Sequence, residues 1–347
     1  RAQRMGERLG VASGGMVGFA RRWWGGELGA AGGALSLLAV PAELLWRTSS
    51  ALHRRAATRR RVAPPVPAVS VGNLAVGGAG KTPVAAWLAA ELRGRGARPA
   101  LLHGGYAADE PALHRRLNPE VPVYTGRDRL TSARQAAAAG ADILVLDDAF
   151  QHHALGRDLD LVLVAAEHWT AHPRLLPRGP WREGPGALRR ADLVVVTRRT
   201  SSAQDAEWVA REVRRVAGGV DAACLHLRPA GWECAGSPVS APPEPALAVT
   251  AVADPAAFAA NARQAGAEVH AVLAFPDHHD YDAADAARIR GAAGPGGVIV
   301  TTGKDAVKLE KLVDPERLWV LRQEVVLEHG AALLTAALDR LLAGRRT

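Results

Sequence analysis

The residues best suited to chemistry form a glycine-rich segment, listed in order as Gly77, Gly78, Ala79, Gly80, Lys81 and Thr82. Glycines let backbone N–H groups turn toward a phosphate, and a following helix N-terminus adds partial positive charge. Lys81 is predicted to reach the β- and γ-phosphates of a nucleotide, and Thr82 to hold Mg²⁺. The segment departs from the strict phosphate-loop pattern at Ala75, where glycine is usual. It predicts nucleotide binding, with a glycine-rich turn of no function as the alternative.

A second chemical signal is the pair Asp147-Asp148, which follows the apolar run 142–146. An apolar strand that ends in a carboxylate is the usual partner of a phosphate loop, and one of the two aspartates is predicted to orient Mg²⁺. A GTPase is disfavoured, because no D-x-x-G follows Asp148 and no N-K-x-D occurs around Lys304. The predicted nucleotide is therefore ATP.

Alternating elements are predicted to position these residues. A short apolar strand at 66–71 precedes the glycine-rich segment, and a helix at 83–92 follows it, with Pro83 in the first turn, where its missing N–H costs nothing. Further strands are predicted at 159–164, 192–196, 246–251 and 297–301, and helices at 255–265 and 283–292. This alternation is typical of an α/β protein with a mainly parallel sheet.

The predicted fold class is α/β: a P-loop NTPase-like, mainly parallel sheet, a second, smaller α/β domain, and an N-terminal membrane-associated helix. The domain boundaries follow from composition. We predict a basic and apolar arm at 1–61, a P-loop kinase domain at 62–228, a Pro/Gly/Ser-rich linker at 229–245 and a C-terminal domain at 246–347 that closes over the active site. Two cysteines, Cys224 and Cys234, are too few for a disulfide framework or a four-cysteine zinc site, and favour a reducing compartment.

The net charge of +8 lies entirely in the arm, which holds 11 Arg and three Glu in residues 1–61, whereas the remaining residues are neutral overall. Within the arm, residues 28–46 are mostly apolar and are bracketed by tryptophans, with arginines on both sides. This pattern favours a helix that lies on an anionic membrane surface; a spanning helix and a helix packed on the body are the alternatives. The neutral body, without an aromatic and basic stripe, predicts no nucleic-acid partner.

At this point the sequence resembles a known family. Six blocks occur in order: VGNLAVGGAGKTP, ADEP, LVLDDAFQHHALGRDLDLVL, LLPRGPWRE followed by RRADLVVV, FPDHHDY and VTTGKDAVKL. Together they resemble the tetraacyldisaccharide 4′-kinases, the lipid A 4′-kinases (LpxK). The resemblance covers roughly residues 30–320, and LDD-x-x-QH and FPDHH-x-Y are more specific than the phosphate loop.

The resemblance implies an enzyme at the cytoplasmic face of the bacterial inner membrane. Such an enzyme transfers the γ-phosphate of ATP, with Mg²⁺, to the 4′-hydroxyl of an acylated glucosamine disaccharide 1-phosphate. The alternatives are a homologue that binds nucleotide and membrane without catalysis, and a P-loop ATPase of another type.

The resemblance also implies roles for individual residues. Lys81 and Thr82 match the family's phosphate-loop pair, and Asp147 and Asp148 its metal-side carboxylates. Asp109 matches the aspartate that activates the sugar hydroxyl, and His278 matches its histidine partner, so that the two domains must close on each other to form the pair. The residues expected to line the substrate cleft are Gln151, His152, Arg129, Arg182 and Glu183.

One departure concerns the approach to Asp109. The family usually has an R-G-Y-G-G block and a spacer before G-D-E-P, whereas here Leu102-His103-Gly104-Gly105 is followed almost at once by Ala108-Asp109-Glu110-Pro111. The arginine is absent and the spacer is shortened. Since a displacement of about 1 Å can cost about 10²-fold in rate, the shortened connection bears directly on catalytic competence.

Overall fold

A computed structural model describes residues 16–105 and 108–344. The described chain divides into two compact units, a larger one of residues 22–226 and 325–344 and a smaller one of residues 16–21 and 227–324. The chain passes from one unit to the other at three places: within the helix α1 (Met16–Trp24) and within two long strands, β7 (Ala222–Cys234) and β12 (Leu318–Leu327).

A parallel sheet forms the centre of the larger unit. Its strand order is β7-β6-β5-β1-β4-β2-β3, and neighbouring strands in this order are parallel. The strands other than β7 are β1 (Ala68–Asn73), β2 (Pro99–His103), β3 (Val123–Thr125), β4 (Ile143–Asp147), β5 (Leu159–Ala165) and β6 (Leu193–Arg198). All residues of β1, β2 and β4 are buried, as expected for parallel strands covered by helices on both faces.

The helices of the larger unit follow the strands in the order predicted for an α/β fold. They are α4 (Lys81–Gly94), α5 (Asp109–Leu117), α6 (Arg129–Ala138), α7 (Ala203–Val216) and α11 (Ala331–Ala343). Because the strands are parallel, the carboxyl ends of β1, β2 and β4 lie at one edge of the sheet, where α/β proteins bind ligands. That edge carries Asn73, His103 and Asp147 as the last residues of the three strands.

Three helices precede the sheet: α1 (Met16–Trp24), α2 (Gly29–Leu38) and α3 (Val40–Arg59). The apolar run 28–46, predicted as one helix, is divided between α2 and α3, which meet at an angle of 50°. The break has a local cause, because Pro41 stands in the first turn of α3, a position that proline favours, and lacks the N–H that would continue α2. No single described helix is long and apolar enough to cross a membrane; α2 and α3 together meet that test by length and composition.

The smaller unit contains parallel strands in the order β10-β9-β11-β12. Its other strands are β9 (Ala246–Thr250), β10 (Val269–Ala274) and β11 (Val298–Thr302), and its helices are α8 (Pro255–Gln264), α9 (Ala283–Ala293) and α10 (Gly303–Leu309). Residues 229–245, predicted as a linker, include the end of β7 and the strand β8 (Ser237–Val239), which pair as an antiparallel hairpin. The predicted fold class is confirmed: an NTPase-like parallel sheet and a second, smaller α/β unit.

Candidate active site

The glycine-rich segment forms the loop between β1 and α4. Gly78 and Gly80 have φ angles of +69° and +79°, in the left-handed region that favours glycine. Gly80 is the residue immediately before α4, so the first turn of this helix opens directly onto the loop. Among the hydrogen bonds that hold the loop, Val76 N donates to Pro180 O at 2.8 Å, Thr197 Oγ1 donates to Ala79 O at 3.0 Å, and Arg199 Nη1 donates to Gly78 O. This is the backbone arrangement that binds a nucleotide phosphate.

Lys81 lies beside the second aspartate of the Asp147-Asp148 pair. Its Nζ is 3.7 Å from Asp148 Oδ1 and donates to Asn73 Oδ1 at 3.3 Å. Burial raises the pKa of Asp148, but the Lys81 and Arg182 cations lower it by more, to about 2. The carboxylate is therefore ionised at neutral pH. Asp148 also has a φ of +49°, a left-handed conformation that is strained for a residue with a Cβ and that clusters at functional sites.

Arg182 connects Asp148 to the residues predicted to contact substrate. Its Nη1 donates to Asp148 Oδ1 at 3.1 Å and to Gln151 Oε1 at 3.2 Å. Gln151 Nε2 donates in turn to Asn73 O at 2.9 Å and to Glu183 Oε1 at 3.3 Å. Asp148, Gln151, Arg182 and Glu183 thus form one connected network beside the phosphate loop. Their predicted contacts with substrate stay predictions.

Two arginines that sequence reasoning did not place in the site complete this network. Arg190 Nη2 donates to both carboxylate oxygens of Glu183 at 2.9 Å, and Arg54 Nη1 donates to Glu183 Oε2 at 3.0 Å. Arg190 belongs to the RRADLVVV block, so its motif was a usable signal. Arg54 had been counted only as one of the positive charges of the arm, and no local pattern distinguishes it from its neighbours.

Arg129 is 1% exposed and lies under the site. Its Nη2 donates to the backbone oxygens of Asp147 at 2.8 Å and of Asp148 at 3.0 Å. It therefore fixes the backbone that presents both carboxylates. The predicted place of Arg129 in the lining of the substrate cleft stays a prediction. His152, the other predicted cleft residue, is half-buried, and burial together with nearby arginines lowers its pKa to about 4, so the imidazole is neutral at pH 7.

Asp109 is the first residue of α5 and is 1% exposed. Its Oδ1 accepts a hydrogen bond from Glu110 N at 3.0 Å. The connection from β2 to α5 consists of only residues 104–108, which agrees with the shortened spacer found in the sequence. Asp109 therefore stays near the carboxyl edge of the sheet, immediately after a short connection from β2.

His278 belongs to the smaller unit, and its predicted pairing with Asp109 stays a prediction. Within its own unit, His278 has a φ of +61°. Lys304 Nζ lies 3.1 Å from His278 Nε2 and donates to Asp277 Oδ1 at 3.1 Å, and Asp277 also accepts from Arg21 at 2.7 Å. The neighbouring His279 instead contacts Asp285 at 2.6 Å. Of the two adjacent histidines, His278 is thus the one whose imidazole lies beside Lys304, whereas the imidazole of His279 lies beside a carboxylate.

The residues predicted to bind Mg²⁺ fit that ion by the chemistry of their donor atoms. Thr82, in the first turn of α4, offers a hydroxyl oxygen, and Asp147 and Asp148 offer carboxylates. Burial raises the pKa of Asp147, but the hydrogen bond and charge of His114 lower it by more, so the net direction is downward. Ionised carboxylate and hydroxyl oxygens are the donors that a hard cation such as Mg²⁺ prefers.

Gly72 controls how closely the loop that carries Gln151 can approach β1. A Cβ added at Gly72 would lie 2.5 Å from Phe150 Cβ and 2.7 Å from Phe150 N. Because the second contact is with backbone, relief requires the loop to move. We expect Gly72→Ala to lower the free energy of unfolding by about 2–3 kcal/mol, measured by urea denaturation. Gly94→Ala is the matched control, since nothing lies within 4 Å of that position; an equal loss in both variants would contradict the steric account.

A glycine loop between a strand and a helix, a lysine beside an ionised aspartate, and a parallel sheet define a nucleotide-dependent enzyme of the P-loop class. A family model described as Tetraacyldisaccharide-1-P 4′-kinase matches residues 35–109 and 107–343. The chain belongs to the tetraacyldisaccharide 4′-kinase family.

Individual relatives agree with this assignment. The tetraacyldisaccharide 4′-kinase of Anaeromyxobacter sp. (strain K) is 40% identical over 368 positions, covering 94% of this chain and 96% of the relative. That of Halorhodospira halophila is 35% identical, covering 81% and 84%. A crystal structure of LpxK from Aquifex aeolicus in complex with ATP has a TM-score of 0.70 at 25% identity, covering 88% of this chain and 99% of that one.

The comparisons also bear on the short connection before Asp109. The two segments matched by the family model meet at residues 107–109, which is the place where the sequence lacks the family's spacer. The alignment of 368 positions to the Anaeromyxobacter relative is longer than this chain of 347 residues. The relative therefore carries residues that this chain lacks.

Proposed function

We propose that this protein is an ATP-dependent kinase that transfers the γ-phosphate of ATP to the 4′-hydroxyl of a tetraacylated glucosamine disaccharide 1-phosphate, a step of lipid A biosynthesis. The observation that carries the proposal is the contact of Lys81 and Arg182 with the ionised Asp148 at the end of the phosphate loop. This contact supports the proposal, because cations beside a phosphate loop can neutralise charge on a transferred phosphoryl group. Membership of the kinase family supplies the acceptor.

In the proposed reaction the 4′-oxygen attacks the γ-phosphorus, the bond from the γ-phosphorus to the bridging oxygen breaks, and ADP leaves. The hydroxyl proton passes to the Asp109 and His278 pair, which matches the residues to which the family assigns this role. Mg²⁺, held by Thr82 with Asp147 or Asp148, would neutralise charge on the β- and γ-phosphates. The chain's own contribution is positioning: Lys81 and the loop N–H groups hold the phosphates, and Arg182 orients Asp148 and Gln151.

The decisive experiment is phosphoryl transfer from γ-labelled ATP to the acylated disaccharide 1-phosphate, with purified protein in detergent. We expect label in the 4′-monophosphate product, dependent on the acyl acceptor. ATP hydrolysis that the acceptor does not stimulate, with no labelled lipid, would favour a P-loop ATPase of another type. Nucleotide binding with no turnover of either kind would favour the non-catalytic homologue.

A further part of the proposal concerns the membrane. Polar residues of α3 attach the α2–α3 arm to the rest of the larger unit. Glu43 accepts from Arg178 at 2.7 Å, Trp46 Nε1 donates to Arg182 O at 2.9 Å, and Arg54 pairs with Glu183. The arm therefore contacts the LLPRGPWRE block directly, at Arg178, Arg182 and Glu183.

The same arm leaves apolar side chains uncovered. Leu37, Leu38 and Leu45 are 73%, 78% and 69% exposed, and Leu44 is exposed beside them. Exposed arginines, among them Arg47, Arg55 and Arg59, continue along α3. Exposed leucines next to arginines are typical of a helix that lies in the interface of an anionic membrane. We propose that the arm holds the enzyme on the cytoplasmic face of the inner membrane, where its lipid substrate lies.

Replacing Leu37, Leu38, Leu44 and Leu45 together by serine tests this attachment. Because each leucine that enters the acyl layer contributes about 1 kcal/mol or more, we expect partition onto vesicles of phosphatidylethanolamine and phosphatidylglycerol to weaken by about 10²–10³-fold. Vesicle sedimentation measures it. Serine at Leu117 and Trp208, which are also exposed but lie on α5 and α7, should leave partition unchanged. Equal sedimentation of all three proteins would rule out the arm as the attachment.

A further inference from the structure

The loop of residues 275–281, which carries the FPDHHDY block, is bound to α10, the helix of the VTTGKDAVKL block. Lys308 Nζ donates to the backbone oxygens of His278 at 3.1 Å and of His279 at 2.8 Å. His278 N donates to the oxygen of Ala251, the residue after β9, at 3.2 Å. These bonds hold His278 in its left-handed conformation, with a φ of +61°, which is strained for a residue with a Cβ and clusters at functional sites.

Asp305 in α10 ties the end of this loop to the strands below it. The residue is 1% exposed. Its Oδ1 accepts from the Tyr281 hydroxyl at 3.1 Å, and its Oδ2 accepts from Ala251 N at 3.1 Å. These bonds resist movement of the loop, because a buried carboxylate that loses its donors is costly. Helix α10 therefore holds the loop through Asp305 and Lys308, and none of these bonds involves Lys304.

Lys304 contacts the imidazole of His278 itself. Its Nζ lies 3.1 Å from His278 Nε2 and donates to Asp277 Oδ1 at 3.1 Å. Burial raises the pKa of Asp277, but nearby cations, Lys304 foremost, lower it by more, so this carboxylate is an anion that keeps the ammonium group in place. An ammonium group has three donors and no acceptor. Nε2 must therefore accept the bond with its lone pair, and the proton of the neutral ring lies on Nδ1.

The neighbouring His279 has the opposite arrangement. Its ring stacks on Phe275, with the two ring centroids 5.0 Å apart, and its Nε2 lies 2.6 Å from Asp285 Oδ2. An ionised carboxylate only accepts hydrogen bonds, so Nε2 of His279 carries a proton. The two adjacent histidines are thus held in different tautomers, one by a cation and the other by an anion.

We propose that Lys304 is the positioning residue of His278: it holds the imidazole by Nε2 and so fixes the proton of the neutral ring on Nδ1. The consequence for catalysis rests on the proposed function. A second proton would have to enter at Nε2, where it would displace the bond from Lys304 and face a like charge. His278 therefore acts as a donor through Nδ1 that orients a carboxylate. As the 4′-oxygen bonds to the γ-phosphorus and ADP leaves, the hydroxyl proton passes to Asp109.

The test reads the tautomer directly by long-range proton–nitrogen NMR of the full chain with ring-nitrogen-labelled histidine. The spectra are recorded where the imidazoles are neutral, and the signals lost in His278→Asn assign that residue. We expect the proton of His278 on Nδ1 and that of His279 on Nε2. Lys304→Met keeps an unbranched chain without the ammonium group and should give His278 a large share of the Nε2–H form. Lys304→Arg keeps donors at this position and should retain the wild-type tautomer.

Two lysines of the same unit provide controls. Lys308 binds the backbone of the loop and not the ring, so Lys308→Met should leave the tautomer of His278 unchanged. Lys311 is exposed, and Lys311→Met should also leave it unchanged. In the phosphoryl-transfer assay, Lys304→Met should lower kcat by about 10²-fold with KM for ATP unchanged, and Lys304→Arg should recover most of the rate.

The outcomes separate this proposal from the proposed function. An Nε2–H form of His278 in the wild type, or an unchanged tautomer in Lys304→Met, would overturn the proposal whether or not the protein transfers phosphate. An equal change in Lys308→Met would overturn it as well, because the loop would then set the ring. A changed tautomer with unchanged kcat would refute the role in catalysis. The expected tautomers in a protein that transfers no phosphate would support the positioning by Lys304 and count against the kinase activity instead.

Discussion

Lys81→Ala is expected to reduce kcat/KM for phosphoryl transfer by about 10³-fold. Lys81 is the cation at the start of α4, and its Nζ is 3.7 Å from Asp148 Oδ1. Alanine removes the charge that is proposed to follow the γ-phosphate through the transition state, whereas the loop N–H groups, which are proposed to hold the ground-state phosphates, remain. The loss should therefore fall mainly on kcat, with a smaller increase in KM for ATP. Steady-state kinetics with labelled ATP measure both.

The variant also leaves Asp148 with one cation fewer, since Arg182 remains at 3.1 Å. A fall in stability could imitate a catalytic defect, so the urea midpoint is measured in parallel. Lys311→Ala is the matched control, because Lys311 is exposed in the smaller unit and belongs to none of the predicted sites. A Lys81→Ala protein with unchanged kcat, or a Lys311→Ala protein with the same loss, would contradict the role given to Lys81.

The positions of the glycine-rich loop and of Asp147 and Asp148 were predictable because their signals are local. A strand, a glycine segment and a helix follow one another without a gap from Ala68 to Gly94, so spacing alone fixes where Lys81 lies. The place of Asp148 was equally predictable from the sequence, because any strand that ends beside the phosphate loop presents its last residues at the same edge of a parallel sheet. The strand bounds differ from prediction by only a residue or two at most ends.

Contacts between distant segments were not predictable. The pairing of Glu183 with Arg54 joins positions 129 apart, and that of His114 with Asp147 joins positions 33 apart. Neither Arg54 nor His114 stands at a sequence spacing that marks a site. Tertiary packing alone brings each of them to its carboxylate partner. Arg54 illustrates the consequence. The net charge of the arm includes Arg54 among the arginines available to a membrane, but its charge is paired with Glu183 within the protein.

The division of the apolar run 28–46 shows a different limit. Composition showed it to be apolar and predicted an interfacial helix. Composition does not show direction, and a new helix with Pro41 in its first turn lies at an angle of 50° to the first. Leu37 and Leu38 at the end of α2 and Leu44 and Leu45 on α3 are all exposed. Residues seven apart share a face of a helix, so the sequence could indicate this apolar face but not the bend.

The second large effect is expected for Asp109→Asn, which should reduce kcat by about 10²–10⁴-fold with little change in KM for ATP. The substitution keeps the size of the side chain and its ability to accept from Glu110 N, a bond of 3.0 Å that helps to begin α5. It removes the negative charge that the proposed reaction uses to draw the proton from the sugar hydroxyl. Fold and nucleotide binding should therefore persist while transfer is lost, which nucleotide titration and labelled-lipid assays distinguish.

Asp339→Asn serves as control, because that carboxylate pairs with Arg95 at the surface and exposed pairs contribute little. The shortened connection of residues 104–108 makes the comparison sharper. If it held Asp109 away from the acceptor, the wild type would be slow and Asp109→Asn would change little, whereas lengthening the connection to that of the relatives would raise the rate. Fast transfer by the wild type that Asp109→Asn leaves intact would instead refute the base assignment, because no displaced loop can account for an active enzyme that does not need this carboxylate.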